Sequence, residues 1–248
     1  MIKVVVVGVE GEINLGFIIR LCKNFDVDEL ALVKPQVNIL SEEVKKFAAN
    51  GVDYLYSGRV KVYENLADSL KGVGISACTS AVVDVVGGDV LRKAIELESF
   101  IQIARPYTDI AIVFGRESVG LTREEIAKCD ILVHIASNPN YPVLNLSHAV
   151  AIVLYELYKM LNRPSLIEKM DKAKEEQLRV AEKYIEELAK LVASDERQYE
   201  MFSLSFKHLL KKAMLSTSEV GFLVTFIRRL ANRLAKCIWG CSNATETC

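Results

Sequence analysis

Through roughly the first 160 residues, short apolar runs alternate with stretches whose apolar residues recur every three or four positions. The runs fall at residues 2–7, 30–33, 60–63, 73–78, 110–114 and 131–136, and each is bounded by turn residues. They are rich in Val and Ile and show little polar alternation, the pattern of strands covered on both faces. Helix signals lie between them. Ser41 is placed to cap a helix that Gly51 closes, and Thr122 with Glu125 reads as a capping box. Asp89 precedes a helix expected to reach Ala104. Asn14 is the expected N-cap of the first helix, whose core-facing stripe is Leu15, Ile18, Ile19, Cys22 and Phe25. Six strands with interposed helices predict an α/β domain over residues 1–163, with a mainly parallel sheet and helices on both faces.

A different pattern begins at Pro164, which ends one helix, while Ser165 and Glu168 form the capping box of the next. Over residues 166–194, Met170, Ala173, Ala181, Tyr184, Ile185, Leu188 and Leu191 make one stripe among Lys and Glu. That spacing predicts a long amphipathic connecting helix in segment 164–196. Residues 197–240 read as a helical extension of two helices, split where Ser216 and Glu219 make a third capping box, and 241–248 as a tail.

Composition adds little until it is read locally. About half of the 248 residues are apolar, a quarter are charged and the net charge is −1, the balance of an ordinary globular protein. No run approaches the roughly 18 uncharged residues of a membrane span, and the first strand leaves no room for a signal peptide. A cytoplasmic protein without membrane attachment is expected. Yet from Arg197 to Lys236 eight positive residues face only Glu200 and Glu219. Such an excess suits either a polyanionic partner or a solvated helix surface. Of the six cysteines, Cys22, Cys78 and Cys129 read as small buried hydrophobes. Cys237, Cys241 and Cys248 lack the second half of a zinc-type pair, and His134, His148 and His208 have no metal spacing, so no metal is expected. Free thiols are the default in a reducing compartment, with hyperthermophiles the exception.

The chemistry concentrates in three loops that follow strands, where open α/β sheets bind ligands. The first is "GVEGEINLG", in which Gly16 and Arg20 lie one helical turn apart. A glycine there admits a close ligand. Arg20 then either holds an anion, snorkels, or pairs with Glu10 or Glu12. The second is "FGRESVGLT", where Gly115 after a buried strand predicts a positive φ or a tight approach and Glu117 supplies a carboxylate. The third, "SNPNYPVLNLSHA", is stiffened by two prolines and runs into a helix near Asn145 or Ser147. A dinucleotide fingerprint is excluded by the spacing of Gly8, Gly11 and Gly16, and by Lys34 where a ribose-binding acid belongs. A hydrolase elbow fails because Ser118 sits one residue too far along "GRESVG".

In order and spacing the loops resemble the motifs of the SPOUT RNA methyltransferases, of the TrmH/TrmJ type that modifies ribose. N-x-G-x-x-x-R is matched by Asn14, Gly16 and Arg20, and F-G-x-E-x-x-G-L by Phe114, Gly115, Glu117, Gly120 and Leu121. The third motif, a loop ending in L-N before a helix, is matched by Leu144 and Asn145. The resemblance covers residues 1–160, and it implies a sheet whose C-terminal part is threaded into a trefoil knot. It implies bound S-adenosylmethionine, and a homodimer with active sites shared between subunits. The cofactor would contact Thr79, Ser80, Ala81, Gly115, Ile135, Pro142, Val143 and Leu144. The catalytic set would be Asn14, Arg20, Glu117 and Asn145. A serine often found two positions before the last asparagine is Val143 here, so only backbone contacts carry over, and Ser147 is a possible partial substitute.

Within this resemblance the expected activity is 2′-O-methylation of tRNA ribose, at the first nucleotide of the anticodon loop (position 32, cytidine or uridine). The alternatives are ribosomal RNA, another tRNA site, or an RNA-binding knotted protein that has lost catalysis. Family mechanisms often make the motif arginine a base. A guanidinium remains charged in proteins, so a forked grip on a phosphate by Arg20 and stabilisation of a developing alkoxide suit it better. Lys207, Lys211, Lys212, Arg228, Arg229 and Arg233 become expected RNA phosphate contacts. The 166–194 stripe is left to the extension or to a partner subunit.

Overall fold

The computed structural model describes residues 1–165 and 171–241. The chain forms two compact units, Met1–Arg163 and Pro164–Cys248. In the first, seven parallel strands lie in the order β3-β2-β1-β6-β4-β7-β5. They are β1 (Ile2–Val7), β2 (Glu29–Val33), β3 (Val60–Tyr63), β4 (Ile75–Thr79), β5 (Ile95–Glu96), β6 (Ile110–Phe114) and β7 (Ile131–His134). The helices are α1 (Glu12–Asn24), α2 (Glu42–Ala48), α3 (Val52–Leu55), α4 (Leu66–Ser69), α5 (Leu97–Ala104), α6 (Arg123–Ile126) and α7 (Leu146–Met160).

Strand periodicity divides the core in two. Ile2, Val4 and Val6 of β1 pack with α1, α5 and α7, around Leu15, Ile18, Phe100, Val150 and Leu154. Val5 and Val7 point to the opposite face and meet Leu66 of α4 and Ile126 of α6. Each face is therefore dry, which is why β1, β2 and β6 carry almost no polar alternation. One exception is internal. Lys3 is 4 % exposed and pairs at 3.1 Å with Glu29, its register partner on β2, while also donating to the Ser69 carbonyl.

Several boundaries differ from those the sequence led us to expect. The stretch after Asp89 is not a continuous helix: a 3-10 turn (Val90–Arg92) precedes β5, which pairs with β7 and runs directly into α5. The sheet thus has a seventh strand that two residues of sequence could not announce. Helix α2 keeps its Ser41 cap but stops at Ala48, because Ala49 adopts φ +47°, and a short turn and α3 follow instead of a stop at Gly51. Helix α1 begins at Glu12, so Asn14 lies within its first turn and Gly11 holds the N-cap position. The sulfurs of Cys78 and Cys129 are joined in a disulfide across 51 residues, rather than remaining separate thiols.

In the second unit α8 (Glu175–Val192), α9 (Glu196–Lys212) and α10 (Thr217–Cys241) enclose a small core of Ala181, Ile185, Leu210, Val220 and Ile227. Ala173, Tyr184 and Leu188 of the expected stripe pack against it. Helix α8 starts later than position 166: Lys172 bridges Ser216 in extended conformation, and Gln177 accepts from the Lys174 N–H at the helix start. Glu168 and Met170, with the 242–248 part of the tail that includes Cys248, lie outside the described residues. Ser216 and Glu219 form the reciprocal bonds of a capping box at α10.

Candidate active site

The carboxyl ends of β4, β6 and β7 open into a cleft of about 270 Å³. It sits where open parallel sheets place ligands, beside the point at which strand order reverses. Thr79, Ser80 and Ala81 from β4, Gly115 and Glu117 from the loop after β6, and Ile135 with Pro142, Val143 and Leu144 after β7 all line it. All eight positions expected to touch a cofactor therefore share one wall-to-wall site. Asn14, Arg20 and Asn145 are not in its lining.

Local chemistry explains each wall. Ser80 N–H donates to the Val133 carbonyl beyond the end of β4, and its hydroxyl accepts from the Val82 N–H, turning the chain outward. Gly115 is required by close approach rather than by φ: a Cβ there would lie 2.2 Å from the Gly120 carbonyl carbon. The 116–120 loop folds back so that Arg116 and Gly120 exchange backbone hydrogen bonds. Arg116 also grips Glu125 with both terminal nitrogens, at 3.0 and 2.9 Å. Burial pushes the Glu125 carboxyl up, but Arg116 and the Thr122 N–H outweigh it and hold it below the ordinary range. Thr122 and Glu125 complete the expected capping box of α6.

A second network joins the three motif loops to one another. One Glu117 oxygen accepts from the Gly11 N–H at 3.1 Å and the Asn14 amide at 3.0 Å, and the other from the Glu10 N–H at 3.0 Å. Glu117 thus satisfies, from another loop, the backbone N–H of the N-cap residue Gly11 and the one before it, donors that the helix itself leaves without partners. Asn14 in turn accepts from the Asn145 amide at 3.0 Å. Asn145 caps α7 by accepting from the Ser147 and His148 N–H groups. The Ser147 hydroxyl also points at Asn145, so it does not replace the serine missing at Val143. Glu10 was not foreseen: its carboxylate accepts from the Ser118 N–H and hydroxyl, a second clasp between the first and second loops.

Arg20 stands apart. It is exposed on α1, and among the described residues it has no hydrogen-bond or ion-pair partner, Glu10 and Glu12 included. Gly16 does not open a path for a ligand. A Cβ there would lie 2.7 Å from both Phe47 Cβ and the Val44 carbonyl, so the glycine lets α1 settle onto α2. Three titratable cleft residues were not among the expected site positions: Arg116, Arg92 and His134. His134 Nδ1 lies 3.1 Å from the Ser80 carbonyl, which only accepts, so that nitrogen carries the proton. The Arg116 side chain lies against Gly8, where a Cβ would come within 2.8 Å of its Nε.

In the second unit the six basic residues singled out are all exposed. Lys211 pairs with Glu175 at 3.0 Å. Lys207 and Lys211, like Arg229 and Arg233, are one helical turn apart.

A parallel α/β sheet with a cleft at its carboxyl ends, bordered by the second and third motif loops, is the arrangement of a ligand-binding α/β domain, and the comparisons give it a family. Residues 1–155 match the model of the SpoU rRNA Methylase family, and the chain belongs to that family. It is 40 % identical over 238 residues to the tRNA (cytidine-2′-O-)-methyltransferase TrmJ of Sulfolobus acidocaldarius, covering 95 % of each chain. With the enzyme of the same name from Methanocaldococcus jannaschii it shares 33 % identity over 230 residues, 91 % of this chain and 97 % of that one. Among solved structures, that of TrmJ from Z. mobilis ZM4 is similar in fold, with a TM-score of 0.64 at 20 % identity, covering 93 % of this chain and 99 % of that one.

Proposed function

We propose that the protein transfers a methyl group from S-adenosylmethionine to a ribose 2′-hydroxyl of tRNA. The observation that carries this reading is the cleft lined by the ends of β4 and by the second and third motif loops, to which the first loop is bound through Glu117, Asn14 and Asn145. Both archaeal relatives that match nearly the whole chain are named as tRNA cytidine 2′-O-methyltransferases, which favours tRNA over ribosomal RNA and favours cytidine. Within tRNA, the first nucleotide of the anticodon loop is the target we assign.

The residues of the cleft suit the cofactor. Ile135, Pro142, Val143 and Leu144 offer an apolar wall for an adenine ring, and the small residues Gly115 and Ala81 line the same cleft. The bound cofactor supplies an electrophilic methyl carbon on a sulfonium. The protein's task is to bring a ribose hydroxyl in line with it, where positioning alone contributes several kcal/mol. Arg20, unpartnered and outside its own chain's cleft, suits the cleft of a second copy. There its fork would hold the phosphate next to the target ribose and stabilise the developing alkoxide. The reading therefore includes a homodimer with shared active sites. Ile13 and Phe17 on α1 and Ile152 and Tyr155 on α7 are exposed apolar residues available for such a contact. It also includes the trefoil knot, formed where the 135–145 loop leads into α7, and the basic residues of α9 and α10 as phosphate contacts. Among the described residues no helix is long and apolar enough to cross a membrane.

The test is nucleoside mass spectrometry of tRNA treated with the protein and cofactor. A new 2′-O-methylcytidine in the anticodon loop is expected. Arg20→Lys should lower kcat by at least about a hundredfold, the scale of one lost transition-state donor, with unchanged cofactor affinity. Near-normal turnover by that variant would remove the forked grip from the mechanism.

A further inference from the structure

Two arginines line the cleft, and their charges are treated differently by the fold. Arg116 is neutralised by its two bonds to Glu125. Arg92, half-buried, is held only by neutral acceptors: its Nη1 donates to the Ser80 hydroxyl at 3.2 Å and to the Val82 carbonyl at 3.4 Å. Its Nε and Nη2 have no partner among the described residues, so one two-donor edge of the guanidinium is unused. The nearby acids are committed elsewhere. Asp89 feels the Arg92 charge, but both its oxygens are bound by Arg123. Asp84 accepts from the Gly87 and Asp89 N–H groups and pairs with Lys93. Glu117 is filled by three donors from the first loop.

The position of Arg92 is also built rather than incidental. Its carbonyl accepts from the Asp84 N–H and its own N–H donates to the Asp89 carbonyl, which fix the backbone of the loop that returns to the end of β4. A guanidinium anchored at one nitrogen, on a residue that lines the cleft and with one two-donor edge unused, is prepared for two oxygens of one anion.

We propose that Arg92 is a ligand-binding residue of this cleft and grips an oxyanion of whatever binds there. Resting on the methyltransferase reading, that oxyanion has two sources: the carboxylate on the amino-acid end of the cofactor, or a phosphate beside the target ribose. Nothing in the three sequence motifs includes this residue.

The experiment compares the full-length protein with Arg92→Gln, which keeps an N–H for Ser80 and Val82 but removes the charge and the fork. Calorimetry would titrate S-adenosylhomocysteine, which carries the carboxylate, and 5′-methylthioadenosine, which lacks it. A loss of about tenfold or more for the first with no change for the second supports the proposal and identifies the carboxylate. Unchanged binding of both, with a tRNA salt dependence shallower by about one in log–log slope, supports it with phosphate as the source. Arg92→Lys, with charge but no fork, should fall between. The proposal is overturned if Arg92→Gln alters none of these, or weakens both adenosine ligands equally, since the arginine would then only pin the loop. If the unaltered protein bound neither adenosine ligand, the reading of the cleft as a methyl-donor site would itself fall.

Discussion

A single methyl group added at Gly16 separates two readings of the first motif. In the structure, a Cβ at that position meets Phe47 Cβ and the Val44 carbonyl at 2.7 Å and the Ala48 nitrogen at 3.1 Å. None of these is the far end of a flexible side chain, so relief requires α1 and α2 to part by most of an ångström. Helix α1 cannot yield, because Leu15, Ile18, Ile19 and Cys22 are fully buried beneath it. Moving α2 instead loosens Val44 and Ala48, and a gap of that size forfeits a quarter to a half of a contact's dispersion energy. Overpacking of this kind costs about 3 kcal/mol at the upper end of its usual range. Replacing a helical glycine by alanine returns about 1 kcal/mol. The net for Gly16→Ala is a destabilisation of about 2 kcal/mol, or a Tm lower by roughly 4–8 °C for a unit of this size. Gly221 of α10 has open space around it, and the same substitution there should raise stability by up to about 1 kcal/mol. The assay is thermal melting beside titration with S-adenosylhomocysteine. A Gly16→Ala protein with an unchanged Tm but weakened ligand binding would refute the packing argument and restore the glycine to the ligand.

Other consequences follow from buried charge, covalent linkage and surface charge. Burial pushes the Glu29 carboxyl up, but hydrogen bonds from Lys61, Tyr63 and Lys3 outweigh it and hold it below its ordinary value. Its stabilisation is therefore complete above the unfolded carboxyl pKa and is lost as pH falls through the depressed folded value. Melting curves from pH 7 downward should show this loss, and Glu29→Gln should flatten it while costing about 3 kcal/mol at pH 7 by stranding Lys3. Closing a loop of 51 residues, the Cys78–Cys129 disulfide should contribute about 4 kcal/mol, so a reductant should lower the Tm of the native chain and leave Cys129→Ser unaffected. Neutralising Lys207, Lys212, Arg228, Arg229 and Arg233 together should weaken tRNA binding and flatten its salt dependence; an unchanged slope would return them to ordinary surface charge.

What could be read from sequence was what local chemistry determines. Strands β1, β2 and β6 are legible because a strand dry on both faces must be continuously apolar. The caps at Ser41, Thr122, Asn145 and Ser216 are legible because their partners lie two or three residues away. Asn14 misled for the complementary reason: the group that satisfies the start of α1 is Glu117, over a hundred residues further on. Strand β5 is only two residues long and owes its existence to β7. Arg92 hid in what read as a helix, and Gly16 was assigned to a ligand because α2 was not yet in place beside it. The cofactor positions emerged from family resemblance, since no pattern within "TSA" or "PVL" distinguishes a cleft wall from a loop.

The bonds among Glu117, Asn14 and Asn145 also bear on how the site works. Both Glu117 oxygens already accept from N–H groups, so the carboxylate is engaged in holding the first loop against the second. Its contribution is position. Asn14 then transmits that position to Asn145, whose other end fixes the start of α7 and the third loop. If the three loops are aligned as one body, truncating either asparagine should break the same alignment, and truncating both should cost little more than one. The individual changes are not equivalent. Asn145→Ala also loses a helix cap worth about 1 kcal/mol, whereas Asn14→Ala leaves that cap intact. A double-mutant cycle on cofactor affinity should therefore give a coupling energy of about 0.5–3 kcal/mol, the range for residues in one network. Additive effects would mean that the loops hold their places independently, and that the Asn14–Asn145 bond is a by-product of two separately stable turns.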